Sequence, residues 1–298
     1  PGIATKLIHI GRLFGRDCIC SEQKLRLYRP GISYRTLFTE LMEITAINQY
    51  HLRHQLSESW QPAWKPGYKQ TEHEVLIFEL ETSEGISGYT SASGFAGRIE
   101  YLELAEMFLL GEDPREVERV VKRLEPLNLW GPRPWHFEVA LWDIVGKDAG
   151  KPIYELLGGS SDAIRAYAST GELQAPAERL RYVEKRVTEW FEAVKLRFHS
   201  EDTREDLAVA RQVREAFPDL TLMIDANMGW SVPMIEEDSW SFNEALDVAR
   251  ELEDIGNIGW LEEPLDRRDY DGLARLRQRT DIPIAGGEFN NGMYQFRE

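Results

Sequence analysis

Three short apolar runs, each closed by a carboxylate, constrain the fold of this chain more than any other feature. They read LTLMIDAN (220–227), GWLEEPL (259–265) and IPIAGGE (282–288), and the carboxylates are Asp225, Glu262 and Glu288. These acids are 37 and 26 residues apart, which leaves room for one helix and a return to the next strand. Apolar runs that end in charge and alternate with helical patterns are typical of parallel strands whose carboxyl ends carry chemistry.

The same strand ends indicate a kind of chemistry. Three carboxylates at one barrel mouth would repel one another, so we expect them to share a cation, and an all-oxygen set favours Mg²⁺. An earlier run, AVKLRF (193–198), places Lys195 and Arg197 on the preceding strand. Two cationic side chains beside a metal site suit an anionic small-molecule substrate.

Charge and composition exclude several classes of partner. The 298 residues carry a formal net charge of −16, which argues against nucleic acid or an anionic membrane as the main partner. We find no apolar run near the length of a membrane span and no secretory leader. The two cysteines, Cys18 and Cys20, exclude a disulfide framework and make a poor zinc site, so a cytoplasmic location is expected.

Residues 1–41 differ from the rest of the sequence. They carry seven Lys/Arg and three Asp/Glu, contain both cysteines and follow no sustained apolar period, whereas Met42 opens a well-patterned stretch. We expect an atypical N-terminal extension, either a targeting arm or the product of a mistaken start upstream of Met42. Its removal should leave the melting midpoint unchanged, and a large drop would show that it is structural.

Patterning from Met42 onward predicts two domains. In residues 42–160, strand patterns at 43–52 and 72–82 flank a polar, aromatic loop at 57–70, and helical patterns follow at 99–111, 113–124 and 136–150. Strands followed by helices are typical of an α+β domain.

Residues 161–298 alternate strand with helix, which is typical of an α/β fold. Five strand segments lie at 164–170, 193–198, 220–227, 259–265 and 282–288, with amphipathic helical patterns between them. A closed barrel needs about eight strands, so we predict a (β/α) TIM-like barrel that is truncated after about five.

Five motifs occur in order along the chain: ALWDIVGKDAGKPIYELLGG (140–159), KLR, DAN, EEP and GGE. Over residues 42–298 this series resembles the mandelate racemase/muconate-lactonizing branch of the enolase superfamily. The resemblance implies that the α+β domain caps the barrel and that Asp225, Glu262 and Glu288 bind Mg²⁺. It also implies a reaction that begins by removing the proton α to a carboxylate, through an enediolate intermediate.

One strand departs from the simplest family pattern, Lys-x-Lys, because it reads Lys195-Leu196-Arg197. Arginine keeps its proton, so Arg197 is a poor base and suits binding of carboxylate or hydroxyl oxygens. Lys195 could stabilise the same charge or, with a lowered pKa, take a proton. The family's other base comes from a later strand, so we expect it beyond Glu298. His199 is the one candidate replacement among the residues present.

Further residues are assigned to the surroundings of the site. Asn227 shares the strand face of Asp225, where a bond to a metal ligand or a substrate contact on the one hand, and plain turn chemistry on the other, are both open. Trp64 and Tyr68 lie in the 57–70 loop, which the resemblance suggests closes over the substrate together with 91–98. Anchoring of that loop against the cap is the alternative. Glu263 is expected to bond to neighbouring groups rather than to the metal.

The leading functional hypothesis is a Mg²⁺-dependent lyase that dehydrates an acid sugar, because Arg197 and a polar, aromatic loop suit a polyhydroxy carboxylate. A racemase, epimerase or cycloisomerase shares the enediolate step and stays open. A His-Asp pair as the later base would favour dehydration, and a second lysine would favour the others. The third hypothesis is an inactive fragment or a binding protein.

Two expectations concern the behaviour of the chain. The complete protein is expected to form a homo-oligomer. The 298-residue chain alone is expected to bind Mg²⁺ weakly, if at all, to turn over no acid sugar and to associate through its open strand edge.

Overall fold

A computed structural model describes residues 41–65, 67–92, 99–129, 134–230, 239–288, 290 and 293–297. Residues 1–40 of the predicted extension lie outside this range. So do residues 93–98, which belong to the segment 91–98 that the resemblance suggests closes over the substrate. Within it, no helix combines the length and the apolar character that a membrane crossing requires.

The first layer is a three-stranded antiparallel sheet covered by helices. Its strands are β1 (Ile44–Trp60), β2 (Gln70–Thr82) and β3 (Ser87–Ala92), paired in that order. The helices are α1 (Ile99–Leu109), α2 (Val117–Leu124), α3 (Trp135–Ala149) and α4 (Ile153–Leu156), with a 3₁₀ segment at Glu125–Leu129.

Alternation along β2 decides which side of this sheet is covered. Leu76, Phe78 and Leu80 are buried in one core with Phe137 of α3, because every second side chain of a strand points to the same face. The neighbouring strand β3 approaches α3 so closely that a Cβ atom at Gly88 would lie 2.2 Å from a backbone oxygen of the helix. Only glycine fits that contact.

The second layer is a sheet of five parallel strands joined by helices. The strands, in spatial and chain order, are β4 (Ala168–Ser169), β5 (Ala193–Phe198), β6 (Thr221–Ala226), β7 (Ile258–Glu262) and β8 (Ile284–Ala285). The helices are α5 (Pro176–Thr188), α6 (Thr203–Ala216), α7 (Phe242–Ile255) and α8 (Tyr270–Arg277), and a 3₁₀ segment spans Met293–Phe296. The predicted order of an α+β part followed by parallel βα units is confirmed. The predicted truncation of the barrel stays a prediction.

Local sequence sets where the connecting helices begin. At the start of α7, the Ser241 side chain accepts a hydrogen bond from the Glu244 amide, and the Glu244 carboxylate accepts one from the Ser241 amide. This reciprocal capping satisfies two amides that the helix cannot pair internally. Helix α5 begins instead with Pro176, whose missing N–H costs nothing in the first turn.

The parallel sheet has two chemically different faces. On β5, Val194, Leu196 and Phe198 are buried in a core with residues of the connecting helices, and Lys195 and Arg197 alternate with them. Since neighbouring residues of a strand point to opposite faces, the two cations lie together on the face that the helices do not cover.

Two edge strands are shorter than the sequence predicts. The predicted strand 164–170 is reduced to Ala168–Ser169, and the strand predicted within 282–288 is reduced to Ile284–Ala285. Each forms a two-residue ladder with its single neighbour. An apolar run shows that a segment is buried, but the length of a strand depends on how far its partner runs beside it.

Two boundaries in the first layer were also predicted wrongly. Strand β1 continues through Trp60, into the loop predicted at 57–70, because its ladder with β2 resumes at Gln70 after an irregularity. Helix α2 begins at Val117 rather than beside Pro114, since Asp113 accepts a hydrogen bond from the Arg115 amide in a turn before the helix.

Candidate active site

Strand register brings the predicted site residues into one row. Arg197 on β5 pairs with Asp225 on β6, and Asp225 pairs with Glu262 on β7. Adjacent strands lie about 4.8 Å apart, so these three residues stand side by side at the carboxyl ends of the strands. Lys195, two residues before Arg197, shares the same face, so both cations lie beside the acids. That they face a bound metal ion stays a prediction.

Direct ion pairs connect the members of this row. The Lys195 Nζ atom lies 3.0 and 2.9 Å from the two carboxylate oxygens of Glu262 and 3.2 Å from Oδ2 of Asp225. Arg197 Nη1 donates to the same Asp225 oxygen at 2.7 Å. The side chains of Lys195 and Asp225 are only 8% and 4% exposed. Two cations and two carboxylates therefore balance one another in a largely buried network.

Burial opposes the charged form of each group in the network. It would lower the pKa of Lys195, but attraction from Asp225 and Glu262 outweighs it, so the pKa of Lys195 is raised. Burial raises the pKa of Asp225, with repulsion from Glu262 acting in the same direction and attraction to Arg197 and Lys195 opposing it. In this arrangement Lys195 holds its proton.

Glu288, the third predicted ligand, follows β8 and stands beside the network. The residue is exposed, yet desolvation of its carboxyl raises its pKa, followed by repulsion from Asp225, Glu263 and Glu262. The carboxylate is therefore within electrostatic range of its predicted partners. Among the residues that the structure describes, however, no three acids are grouped closely enough to hold a metal ion. Asp225 and Glu262 meet at the Lys195 ammonium, and Glu288 does not join them there.

The donor set nevertheless fits Mg²⁺ in its chemistry. Asp225, Glu262 and Glu288 offer carboxylate oxygens, which a hard divalent cation prefers. Asn227 adds a buried amide oxygen, Oδ1, that receives no hydrogen bond from any described residue. A buried acceptor without a donor is unfavourable, and a hydrated cation nearby would satisfy it. The ligand assignment stays a prediction.

Neighbours on the same strands orient the two paired acids. Asn227 Nδ2 donates to Asp225 Oδ1 at 2.8 Å, and Trp260 Nε1 donates to Glu262 Oε2 at 3.0 Å. For Asn227 the sequence leaves open a bond to a metal ligand, a substrate contact or turn chemistry, and the structure shows a bond to Asp225; its contact with substrate stays a prediction. Sequence reasoning missed Trp260, although its position two residues before Glu262, on the same strand face, was a usable signal.

Trp64, in the loop between β1 and β2, contacts Arg197 of the network. Its ring centroid lies 4.7 Å from the guanidinium carbon of Arg197, and a cavity of about 610 Å³ opens beside it. The loop is tied to the chain after β4, because the Ala63 amide donates to the Gly171 oxygen at 3.0 Å. Arg197 is therefore stacked on one side and bonded to Asp225 on the other.

Tyr68, predicted together with Trp64 to contact substrate, occupies a different place. It is 47% exposed, and the Lys65 ammonium lies 4.5 Å from its ring centroid. The structure thus brings one of the two loop aromatics to the charged network and leaves the other at the surface.

His199, the candidate replacement base, is engaged elsewhere. Its Nδ1 atom lies 3.0 Å from the Arg197 backbone oxygen and 3.6 Å from Asp206 Oδ1. Asp206 also accepts hydrogen bonds from the amides of His199 and Ser200, each at 2.8 Å. These bonds tie the segment after β5 to helix α6, so the imidazole is held by Asp206 and a backbone carbonyl rather than by the acids of the network.

Comparison with known proteins agrees with this arrangement. The family described as mandelate racemase / muconate lactonizing enzyme, N-terminal domain, matches residues 60–158, and the family described as enolase C-terminal domain-like matches residues 177–298. The first match lies in the antiparallel layer with its helices, and the second lies in the parallel layer from β5 onward.

Individual relatives give the same assignment. The chain is 32% identical over 267 residues to D-galactarolactone cycloisomerase of Agrobacterium fabrum, covering 85% of this chain and 67% of the relative. It is 31% identical over 240 residues to arabinonate dehydratase of Saccharolobus solfataricus, covering 76% and 61%. The chain thus spans less than the full length of these enzymes.

A solved structure shows the same fold. L-talarate/galactarate dehydratase from Salmonella typhimurium LT2, liganded with Mg and L-lyxarohydroxamate, superimposes with a TM-score of 0.72 at 25% identity, covering 91% of this chain and 72% of the other. Both sequence and fold place the chain: it belongs to the mandelate racemase/muconate lactonizing enzyme family of the enolase superfamily.

Proposed function

We propose that this chain carries the metal-binding and substrate-binding part of a Mg²⁺-dependent enzyme that removes the proton α to a carboxylate, and that its reaction is dehydration of an acid sugar. The observation that carries the proposal is the row of Arg197, Asp225 and Glu262, with Lys195 bonded to both acids. It lies at the carboxyl edge of a parallel sheet, where barrels of this kind hold their active sites. Relatives that are named as dehydratases of sugar acids support the substrate class.

Asp225, Glu262 and Glu288 are the residues that would hold the ion. When bound, Mg²⁺ would supply positive charge that stabilises the enediolate formed as the α-proton leaves. Asp225 and Glu262 are bonded to Lys195, so the ion would compete with the Lys195 ammonium for their oxygens. An ammonium displaced in this way would bind a substrate oxygen.

Arg197 would bind the substrate carboxylate or a neighbouring hydroxyl. Its guanidinium presents parallel N–H donors, which match a planar carboxylate. Trp64 stacks on it, and Nη2 lies 3.3 Å from the Ser169 hydroxyl, so its plane is set from two sides. A polyhydroxy acid offers both carboxylate and hydroxyl oxygens to these donors, and an apolar acid does not.

Lys195 would stabilise charge rather than abstract the proton. The attraction of Asp225 and Glu262 keeps its Nζ protonated in this arrangement, and a protonated amine cannot act as a base. We assign no general base among the described residues. Its place in later strands, beyond Glu298, stays a prediction, as do the homo-oligomer and the cytoplasmic location.

A cycloisomerase is the second candidate, because D-galactarolactone cycloisomerase matches this chain as well as the dehydratase does. Both reactions can start from the same α-proton removal, and the described residues serve that step in either case. The two reactions differ in the bond that breaks next. Dehydration expels the β-hydroxyl as water, whereas cycloisomerisation breaks a ring C–O bond at the β-carbon, keeps that oxygen in the molecule and releases no water.

The test measures binding and turnover for a panel of aldonic acids, aldaric acids and their lactones, with and without Mg²⁺. We expect calorimetry to show weak acid binding that requires Mg²⁺. A keto-deoxy acid formed from an open-chain acid with loss of water identifies dehydration, a product that is isomeric with a lactone substrate identifies cycloisomerisation, and exchange of the α-hydrogen in D₂O without either product identifies racemisation. Acid binding that is indifferent to Mg²⁺ contradicts the proposal. Turnover by the 298-residue chain alone would place the base at Lys195 or His199.

A further inference from the structure

The second glutamate of the EEP sequence holds the turn that carries Glu288. Glu263 is 4% exposed, and its Oε1 atom accepts hydrogen bonds from two consecutive amides, those of Gly287 at 2.7 Å and Glu288 at 3.0 Å. Strand β8 ends at Ala285, so these amides lie past the sheet ladder and need another acceptor. One carboxylate oxygen therefore fixes the backbone from which the Glu288 side chain projects.

Backbone geometry shows that the position of Glu263 relative to residues 285–288 is fixed. Glu263 has a φ of +52° and Gly287 a φ of +112°, and the Glu263 amide donates to the Ala285 oxygen at 2.9 Å. A left-handed conformation is unfavourable for glutamate by about 1 kcal/mol or more, and it persists where surrounding bonds enforce it. Three hydrogen bonds tie residue 263 to the segment 285–288 and enforce it here.

Adjacent glutamates thus serve adjacent parts of one site. Glu262 stands in the row with Asp225, and Glu263, the next residue, grips the turn of Glu288. We propose that Glu263 is a positioning residue, which sets the Gly287–Glu288 backbone so that the Glu288 carboxylate can bind Mg²⁺ together with Asp225 and Glu262. This inference rests on the metal site of the proposed function.

The chain offers a matched control at the other end of β8. Glu253, on α7, accepts hydrogen bonds from the Asp281 amide at 2.7 Å and from the Thr280 hydroxyl. It therefore grips the turn that enters β8, whereas Glu263 grips the turn that leaves it. In both contacts a carboxylate holds a turn, but only the turn that leaves β8 bears a predicted metal ligand.

Three variants separate positioning from charge. Glu263→Gln keeps the length of the side chain and an oxygen that accepts from both amides, but loses the charge. Glu263→Asp keeps the charge but is one methylene shorter and cannot reach both amides in the present geometry. Glu253→Gln repeats the loss of charge at the control position.

Two measurements are made on the full chain: amide hydrogen exchange, and Mg²⁺ affinity by titration calorimetry to millimolar concentrations. Glu263→Asp should weaken Mg²⁺ binding about 10- to 100-fold, as losses of groups that orient metal ligands do, and should speed exchange at Gly287 and Glu288. Glu263→Gln should change both much less. Glu253→Gln should leave Mg²⁺ affinity unchanged.

The outcomes separate this inference from the metal site itself. If the wild-type chain binds no Mg²⁺, the metal site is overturned, and the positioning role with it. If the wild type binds and Glu263→Asp binds equally well, only the positioning role is overturned. Weaker binding by Glu263→Gln than by Glu263→Asp would also overturn it, because the charge rather than the reach of residue 263 would then matter.

Discussion

Each of the two sheets carries a carboxylate that gathers several donors, and the pKa values of the two acids shift in opposite directions. On the antiparallel sheet of β1, β2 and β3, the cap sheet, Glu79 accepts hydrogen bonds from the hydroxyls of Tyr89 at 2.6 Å and Tyr50 at 2.7 Å. These bonds lower its pKa to about 2. On the parallel sheet, Asp225 is paired with two cations, yet its pKa is raised, because burial is the largest influence on it.

Access to water separates the two cases. Glu79 lies on the uncovered face of the cap sheet, so its charge is hydrated and neutral hydroxyls are enough to favour ionisation. Asp225 has lost nearly all its water, and even two cations do not fully replace the lost hydration. An exposed carboxylate with several hydrogen-bond donors, such as Glu79, is therefore favoured in its charged form and stabilises the fold. The charged form of a buried carboxylate, such as Asp225, stays unfavourable even beside two cations.

Loss of the Lys195 ammonium is the sharpest test of that comparison. Lys195→Met leaves the buried Asp225 and the half-buried Glu262 without their shared cation, which should lower the free energy of unfolding by about 3–5 kcal/mol. Mg²⁺ should recover part of the loss, because it binds the folded state. Urea denaturation with and without Mg²⁺ measures both effects.

The control for that experiment is Arg211→Met. It removes an ion pair between the exposed side chains of Arg211 and Glu251, and should cost less than about 1 kcal/mol. Equal losses in the two variants would break the comparison, since burial would then not decide the strength of a pair.

Arg197→Ala tests whether the buried charges serve ligand binding. Loss of a charge-assisted hydrogen bond should weaken acid-sugar binding by about 1.5–3 kcal/mol, or roughly ten- to a hundredfold. Mg²⁺ affinity should stay the same or rise slightly, because one cation that competes for Asp225 is gone. Calorimetric titration of each ligand checks this. A larger loss of Mg²⁺ affinity than of acid affinity contradicts a substrate-binding role.

Trp64→Leu tests the stacking that orients Arg197. A cation–π contact contributes about 0.5–2 kcal/mol, so acid binding should weaken by a few-fold to about thirtyfold. Trp190→Leu is the control, because Trp190 is 91% exposed and distant in sequence from the loop. The same titrations measure both variants, and an equal response would show that Trp64 has no specific effect on Arg197.

Glu79→Gln tests the exposed half of the comparison and should have the smallest effect. The pKa of Glu79 is lowered from 4.5 to about 2 on folding, so its contribution to stability is present above pH 4.5 and is lost as the pH falls through about 2. Solvent screening keeps that contribution below about 1 kcal/mol. Urea denaturation across this pH range should show a difference between wild type and variant that shrinks on acidification. A difference that stays the same at every pH would contradict this prediction.

Prediction from sequence was strongest where strand alternation governs the outcome. Lys195 and Arg197 lie two residues apart, so any strand that buries Leu196 turns both to the opposite face. Prediction was weakest at the edges of the sheet, where β4 and β8 proved to be two residues long. Apolar composition does not record how far a neighbouring strand extends.

The bonding partners of individual side chains were also difficult to predict from the sequence. Asn227 bonds to Asp225, and Glu263 grips two amides that lie 24 and 25 residues away in the chain. The first contact is local, and the two-residue spacing already offered it as one interpretation of Asn227. The second depends on where β8 ends, which no pattern around Glu263 reveals.

By itself, then, the sequence determined the order of strands and helices and the positions of acids and cations at the strand ends, because both follow from local periodicity. Only the tertiary structure decided that Lys195 bridges Asp225 and Glu262, that Trp64 reaches Arg197 and that Tyr68 does not. Those outcomes depend on the register between strands and on the packing of one layer against the other. Contacts between residues distant in the chain are set by the whole fold, and the charge balance of the site is set by the water that the fold excludes.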